Sequence, residues 1–295
     1  MLNKLKNIII YCLFMIFYFI IKILPDRLRL YFGKGFGRFA YMMTGKRRKI
    51  AEKNLKLALG EKFKDKEIEK IIKKVYQHLG LVLVEFIMQD DINENNYKKF
   101  FEIQGVEYLK EAFSGGKGVI LYSAHLGNWE WLAAFISLLG YPVNAIAYEQ
   151  KNSYFNKKIN NIREKSGVNI IPKGFSVREA YKKLKKGEGL YILGDQSAHS
   201  NGWKTDFFGQ PSLTYQGAVQ LAQRTGAVIL PVFFVRKDWN NHQMVFYPPR
   251  EVAATASEKE QKQELQELTS LVEKEIEKNV PQWLWLHRRW KKRNS

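Results

Sequence analysis

The sequence predicts an α/β fold whose mostly parallel sheet is flanked by helices, with helical extensions at both ends of the 295-residue chain. Three observations predict it. Short apolar runs alternate with amphipathic helical segments from Gly115 onward. Glycine closes three of those helical segments, at Gly167, Gly187 and Gly226. Val119 to Trp131 reads as a strand, a tight turn and a helix, with polar residues in the turn.

The first element is an unbroken apolar run, Ile8–Ile21, with Lys4 and Lys6 before it and Lys22 after it. With Lys22 snorkelling, Ile8–Leu24 reaches the ~17 residues that a short membrane span needs. No small-residue cleavage site follows, so a removed signal peptide is disfavoured. Residues 1–25 are expected to be a retained membrane anchor, either spanning or lying in the interface; a core helix is the alternative. Basic residues on both flanks leave the orientation open. Residues 26–295 read as one domain: helical over about 26–114, α/β over about 115–250, and helical again over about 251–295.

Gly33-Lys34-Gly35-Phe36-Gly37 reads as close helix packing. Lys66–Met88 reads as a long helix, from the spacing of Ile68, Ile71, Ile72, Val75, Leu79, Leu83 and Phe86. Asp65 is its candidate cap, and Glu85 in its apolar half reads as a paired core carboxylate. Strands follow at Val119–Ser123, Val143–Ala147, Asn169–Ile171, Leu190–Leu193, Val228–Val235 and Met244–Tyr247. Helices lie between them at Trp129–Leu139, Phe155–Ser166, Val177–Lys186 and Tyr215–Arg224. Ser257–Lys278 is a charged amphipathic helix. The end, Pro281–Trp290, puts Trp283, Leu286 and Trp290 on one face if helical; it suits a membrane interface or a helix docked on the core.

The formal net charge of +19 suggests anionic partners: nucleic acid, anionic lipid or phosphorylated substrates. A lysine-rich solvated surface explains the excess equally well. The basic clusters at Lys46–Lys49 and Arg288–Arg293 lie beside apolar segments, which favours an anionic membrane surface over nucleic acid. Cys12 is the single cysteine, which excludes an intramolecular disulfide and a thiolate metal cluster.

The chemistry concentrates in Tyr122–Trp131. Inside one straight helix, residues five apart diverge by ~140° and cannot share a task. With His125 at a strand end and Glu130 in the first turn of a helix capped by Asn128, the two side chains can meet. An anionic Glu130 is favoured there by the helix dipole and can orient His125 and stabilise its cation. A zinc site is disfavoured, because His-Glu-x-x-His is absent. Gly-x-Ser-x-Gly, a dinucleotide fingerprint and a P-loop are absent too. What remains is a base without a nucleophile of its own. Such a base most simply activates a substrate hydroxyl for attack on an acyl carbonyl. The helix beginning near Asn128 offers backbone N–H groups to the developing oxyanion, so Gly127 and Asn128 count as substrate-binding candidates.

This segment resembles the His-x4-Asp/Glu motif of the late lipid A acyltransferases and the related lysophospholipid and phosphatidylinositol-mannoside acyltransferases. Further motifs carry the resemblance. Arg47–Leu55 is similar to the family's basic stretch ending in Asn-Leu, and Gly115–Ile120 to the approach to the motif. Arg163 before Ser166-Gly167, Asp195-Gln196 with Phe207-Phe208-Gly209 and Thr214, and Pro281–Lys291 are similar to its later blocks. The resemblance runs from about residue 5 to 293. Leu59-Gly60, where many members carry Phe-Pro, and the short loop Ser197–Thr205 depart from the pattern and leave the acceptor open.

The resemblance implies a glycerolipid-acyltransferase-like fold and an enzyme at the cytoplasmic face of the inner membrane. The donor would be an acyl carrier protein or coenzyme A thioester, with no further cofactor and no metal. The acceptor would be a hydroxyl of a glycolipid or lysophospholipid. Arg163 would hold a phosphate or the oxyanion, and Asp195 would shape the site or bind the acceptor. The rival readings are a hydrolase on the same fold and a non-enzymatic polyanion-binding protein.

Overall fold

The computed structural model describes residues 2–147, 150–172, 176–198, 201–238 and 241–290. Lys291, Lys292 and Arg293 of the C-terminal basic run lie outside the described residues. The helices are α1 (Leu2–Ile23), α2 (Asp26–Met43), α3 (Gly45–Leu59), α4 (Asp65–Met88), α5 (Val106–Ser114), α6 (Trp129–Leu138), α7 (Ser153–Lys165), α8 (Ser176–Lys185), α9 (Gly217–Thr225) and α10 (Glu258–Lys278). The strands are β1 (Phe101–Gln104), β2 (Val119–Ser123), β3 (Val143–Ala147), β4 (Val168–Pro172), β5 (Gly189–Leu193), β6 (Trp203–Phe207), β7 (Gln210–Thr214), β8 (Val228–Arg236) and β9 (His242–Phe246).

Seven strands form one sheet in the order β1-β9-β8-β2-β5-β3-β4. The β8-β2-β5-β3-β4 part is parallel, as expected for strands that alternate with helices. β9 returns antiparallel to β8, and β1 runs parallel to β9 at the edge. β1 lies within the stretch expected to be helical. Its four residues are too few to show a strand period, and it is recruited by pairing with β9. β6 and β7 form a separate antiparallel hairpin, where the sequence suggests only a short loop before Phe207. Every residue of the central β2 is buried. Apolar residues fill both faces of the sheet, which explains why its strands read as continuous hydrophobic runs.

α4 organises the helical part. Gly33 and Gly37 of α2 meet Gly80 of α4, and the backbones approach closely. A Cβ on Gly80 would lie 2.1 Å from the Gly33 carbonyl oxygen, and one on Gly37 would lie 2.2 Å from that of Tyr76. α1 packs along the body rather than projecting from it. Asn152 Nδ2 donates to the Asn7 carbonyl at 2.7 Å. The Phe14 ring packs edge-on against Phe155, and Tyr18 and Ile21 are buried in the core beside Val84 and Ile87. The other face of α1 exposes Leu13, Ile16 and Phe19, and the outer face of α2 exposes Tyr31, Phe39, Met42 and Met43. Leu5–Ile23 is the one segment among the described residues that is long and apolar enough to cross a membrane.

The C-terminal segment is not the helix whose face would align Trp283, Leu286 and Trp290. After a 3-10 turn at Val280–Gln282 the chain is extended at Trp283, and Trp283 bridges Leu126 as a short antiparallel pairing. Trp283 and Trp285 are buried at 1% and 0% exposure, so these two rings serve the core.

Candidate active site

The site grows from the C-terminal ends of β2 and β5. These strands are parallel neighbours with Ser123 opposite Leu193. Two residues further on, each chain supplies a functional side chain, His125 from one and Asp195 from the other. The register therefore sets them face to face, at the sheet edge where ligands of such folds bind.

The turn after His125 is fixed on all sides. Gly127 has φ +61°, and a Cβ there would fall 1.9 Å from the Phe234 carbonyl oxygen, so only glycine fits. The Asn128 backbone N–H donates to that same carbonyl at 2.9 Å. Asn128 caps α6 as expected: its Oδ1 accepts from the Trp131 backbone N–H at 3.0 Å. Its Nδ2 donates to Glu85 Oε2 at 2.8 Å. Glu85 is itself held by Arg236 at 2.5 Å, the pairing expected of a core carboxylate. Burial works against the Glu85 anion, but Arg236 and His242 outweigh it and hold its pKa well below the usual range. His78 Nε2 lies 3.0 Å from the Gly127 carbonyl oxygen. Burial, with Arg236 adding, pushes the His78 pKa down to about 3, so the ring is neutral and donates through Nε2–H.

His125 Nδ1 lies 2.8 Å from Asp195 Oδ1. Gln196 Nε2 lies 3.1 Å from His125 Nε2. An amide nitrogen is a donor, so His125 Nε2 carries the lone pair and Nδ1–H donates to Asp195. That tautomer leaves the Nε2 lone pair free to accept a proton. Burial disfavours the imidazolium, but the Asp195 charge and hydrogen bond, with Glu130 adding, raise the His125 pKa above its ordinary value. Asp195 is 3% exposed. Burial would raise its pKa, but His125 and the Trp283 indole N–H, which donates to Oδ2 at 2.8 Å, lower it.

Glu130 is engaged elsewhere. Arg163 of α7 clasps it through Nε and Nη2 at 2.9 and 2.7 Å, a bidentate pair. Burial opposes the Arg163 cation, but Glu130 outweighs it and raises the pKa. The expected meeting of Glu130 with His125 is thus replaced by Asp195, which accepts the His125 Nδ1–H. The reason is the register of β2 and β5, which the spacing of His125 and Glu130 does not reveal. Glu130 acts on His125 through its charge alone.

A cavity of about 510 Å³ opens at this point. His125, Glu130, Arg163 and Gln196 supply polar groups to its wall; Ala133, Ala145, Val168, Ala180 and Leu221 are among its apolar residues. Among the described lining residues there is no Ser, Thr or Cys. Gly127, Asn128 and Asp195 do not line it. Asn128 is fully buried and both ends of its amide are engaged, so the substrate contact expected of Gly127 and Asn128 is corrected to a role in building the turn. Asp195 likewise stands behind His125 rather than against the cavity. Gln196, which the sequence offers only within the Asp195-Gln196 motif, faces His125 Nε2 directly, and Trp283 is not among the candidates the sequence offers. The sequence signal for Gln196 is its place in the Asp195-Gln196 block that resembles the family's pattern. Among the described residues, no group of three or more His, Cys, Asp or Glu is arranged to hold a metal ion.

The model of the bacterial lipid A biosynthesis acyltransferases matches residues 2–292. The lipid A biosynthesis palmitoleoyltransferase of Escherichia coli (strain K12) is 29% identical, over 92% of this chain and 87% of that protein. The lauroyltransferase of the same organism is 26% identical, over 88% and 84%. A phosphatidylinositol mannoside acyltransferase of Mycobacterium tuberculosis (strain ATCC 25618 / H37Rv) is 24% identical, over 46% of this chain and 45% of that protein.

Proposed function

Because the chain belongs to the bacterial lipid A biosynthesis acyltransferase family and is an acyltransferase, we propose that it moves a fatty acyl chain from an acyl thioester to a hydroxyl of a glycolipid of the lipid A precursor type. The observation that carries this reading is a hydrogen-bonded His125–Asp195 pair at an apolar cavity whose described wall offers no Ser, Thr or Cys nucleophile. Such a site favours direct transfer between two substrates.

In the proposed reaction the acceptor hydroxyl displaces the Gln196 amide from His125 Nε2. Nε2 takes the hydroxyl proton as the oxygen attacks the thioester carbonyl carbon. The C–O bond forms, and the carbonyl electron pair moves onto its oxygen. As that oxyanion collapses, the C–S bond breaks and the thiolate leaves with the proton from Nε2. Asp195 keeps Nδ1–H in place and stabilises the imidazolium meanwhile. Arg163, whose Nη1 is outside the Glu130 pair, is assigned to an anionic group of a substrate or to the oxyanion. The donor is a co-substrate, acyl carrier protein or coenzyme A thioester, and the apolar cavity suits its acyl chain.

The exposed apolar faces of α1 and α2 support seating at a membrane. Both proposed donors are cytoplasmic molecules, which supports a site at the cytoplasmic face of the inner membrane.

The test is transfer by the purified protein in detergent from labelled acyl carrier protein or acyl coenzyme A to candidate acceptors, with the product identified by mass. An acylated glycolipid is expected, and His125→Ala should lower its rate by ~10²–10⁴-fold. Release of free fatty acid, with no acyl lipid from any acceptor, would replace the transferase reading with a hydrolase.

A further inference from the structure

Asp195 uses both carboxylate oxygens. Oδ1 accepts from His125 Nδ1–H and Oδ2 accepts from the Trp283 indole N–H, each at 2.8 Å. We propose that Trp283 is a positioning residue of the transfer reaction: its N–H fixes the Asp195 carboxylate that holds the base, so the last segment of the chain completes the site. This rests on the reading of His125 as general base.

Three features carry the inference. The first is burial. Asp195 and Trp283 are 3% and 1% exposed, so water is a poor substitute for a lost donor on Oδ2. The second is the chemistry of the donor. An indole N–H donates and cannot accept, and it does not titrate in the working range. It therefore favours the ionised carboxylate and leaves it no alternative pairing. A hydroxyl in its place could turn and accept instead.

The third is how the segment is held. Gly127 N–H donates to the Gln282 carbonyl at 3.1 Å and Leu284 N–H donates to the His125 carbonyl at 3.0 Å, so the backbone brackets the catalytic turn. Asn54 of α3 donates its Nδ2 to the Trp285 and His287 carbonyls at 2.8 and 2.6 Å, tying the segment to the helical part. The Trp285 ring packs edge-on against Trp283 at 4.6 Å between centroids and fixes the indole plane. A ring needed only to fill the core would require neither the bond to Asp195 nor the backbone pairing around His125.

The experiment compares two substitutions in the full chain. Trp283→Phe removes the N–H and part of the ring. Site-specific β-(3-benzothienyl)alanine at position 283 keeps the ring shape and puts sulfur where the N–H was. Both are expected to lower kcat by roughly 10–100-fold, the worth of one hydrogen bond to a charged group. KM for the acyl donor should not change, because His125 and Asp195 act in the transition state. Without a donor on Oδ2, the carboxylate charge falls more fully on His125, and the His125 titration should move to higher pH. That titration is read by NMR of ¹⁵N-histidine-labelled protein, with the signal assigned by its loss in His125→Ala.

A wild-type His125 titration in the benzothienyl protein overturns the proposal, whatever happens to kcat, because loss of packing alone leaves the imidazole pKa in place. Unchanged kcat in that protein overturns it as well. If Trp283→Phe does not fold, the isosteric replacement decides alone. Should His125→Ala retain full transfer activity, the general-base reading fails separately, and the NMR titration still reports whether Trp283 governs the pair.

Discussion

His125 owes its tautomer to Asp195, a residue 70 positions away, and its resting partner on the other nitrogen to Gln196. This division of labour makes the residue-scale predictions specific. Asp195→Asn would put an amide against Nδ1 and favour the wrong tautomer; kcat is expected to fall by roughly 10³–10⁴-fold. The pH profile gives the sign. The His125 pKa is raised above 6.5. On the proposed mechanism His125 acts only when neutral, so the acid limb of kcat/KM should lie above the ordinary histidine range and activity should rise through it. Asp195→Asn and Glu130→Gln should both move that limb down, Asp195→Asn further, because Asp195 contributes charge and a hydrogen bond whereas Glu130 contributes charge at a distance. Profiles of the three proteins in one buffer series check this; an equal or larger shift in Glu130→Gln would return the orienting role to Glu130.

α4 and the C-terminal segment build the site without lining it. α4 supplies His78 to the Gly127 carbonyl and Glu85 to Asn128 and Arg236. Glu85→Gln would remove the buried carboxylate charge that pairs with Arg236, and the loss is expected to be about 3–5 kcal/mol, read by urea unfolding. The Glu85 pKa is depressed, so its contribution is present above the usual carboxylate range and is lost as pH falls through the depressed value. The gap between wild type and Glu85→Gln should therefore close only in strong acid. On the opposite side of α4, Gly80→Ala would press a Cβ to 2.1 Å from the Gly33 carbonyl oxygen. An overpacking loss of about 1–3 kcal/mol is expected in the same assay. Gly33 and Gly37 are legible in the sequence as packing glycines; their partner on α4 is not.

Across the molecule, most of the large exposed apolar side chains among the described residues lie on two neighbouring helices. Phe17 of α1 packs at a tilt against Phe32 and Phe36 of α2, at 5.5 and 4.9 Å between centroids, and both helices rest on α4. α1 is bound to α7 and α4 along its length, so deleting residues 1–24 removes a packed element as well as a hydrophobic one. The outer face of α2 would still expose Tyr31, Phe39, Met42 and Met43. The truncated protein is therefore expected to remain on anionic liposomes in flotation assays. Phe39→Glu with Met43→Glu in that background should release it. Release by the truncation alone would assign membrane binding to α1.

The order of strands and helices, the turn chemistry of Gly127 and Asn128, and the candidacy of His125 were legible because they are local: hydrophobic period, positive-φ glycine and capping all act within a few residues. The sequence by itself thus determined the fold class and pointed to the central residue of the candidate site. Only the tertiary structure decided who holds that residue. The β2–β5 register brings Asp195 to His125, α7 draws Glu130 away to Arg163, and the final segment threads Trp283 in behind them. Each is a long-range pairing set by the sheet and by core packing, and spacing along one chain carries no record of distance in space.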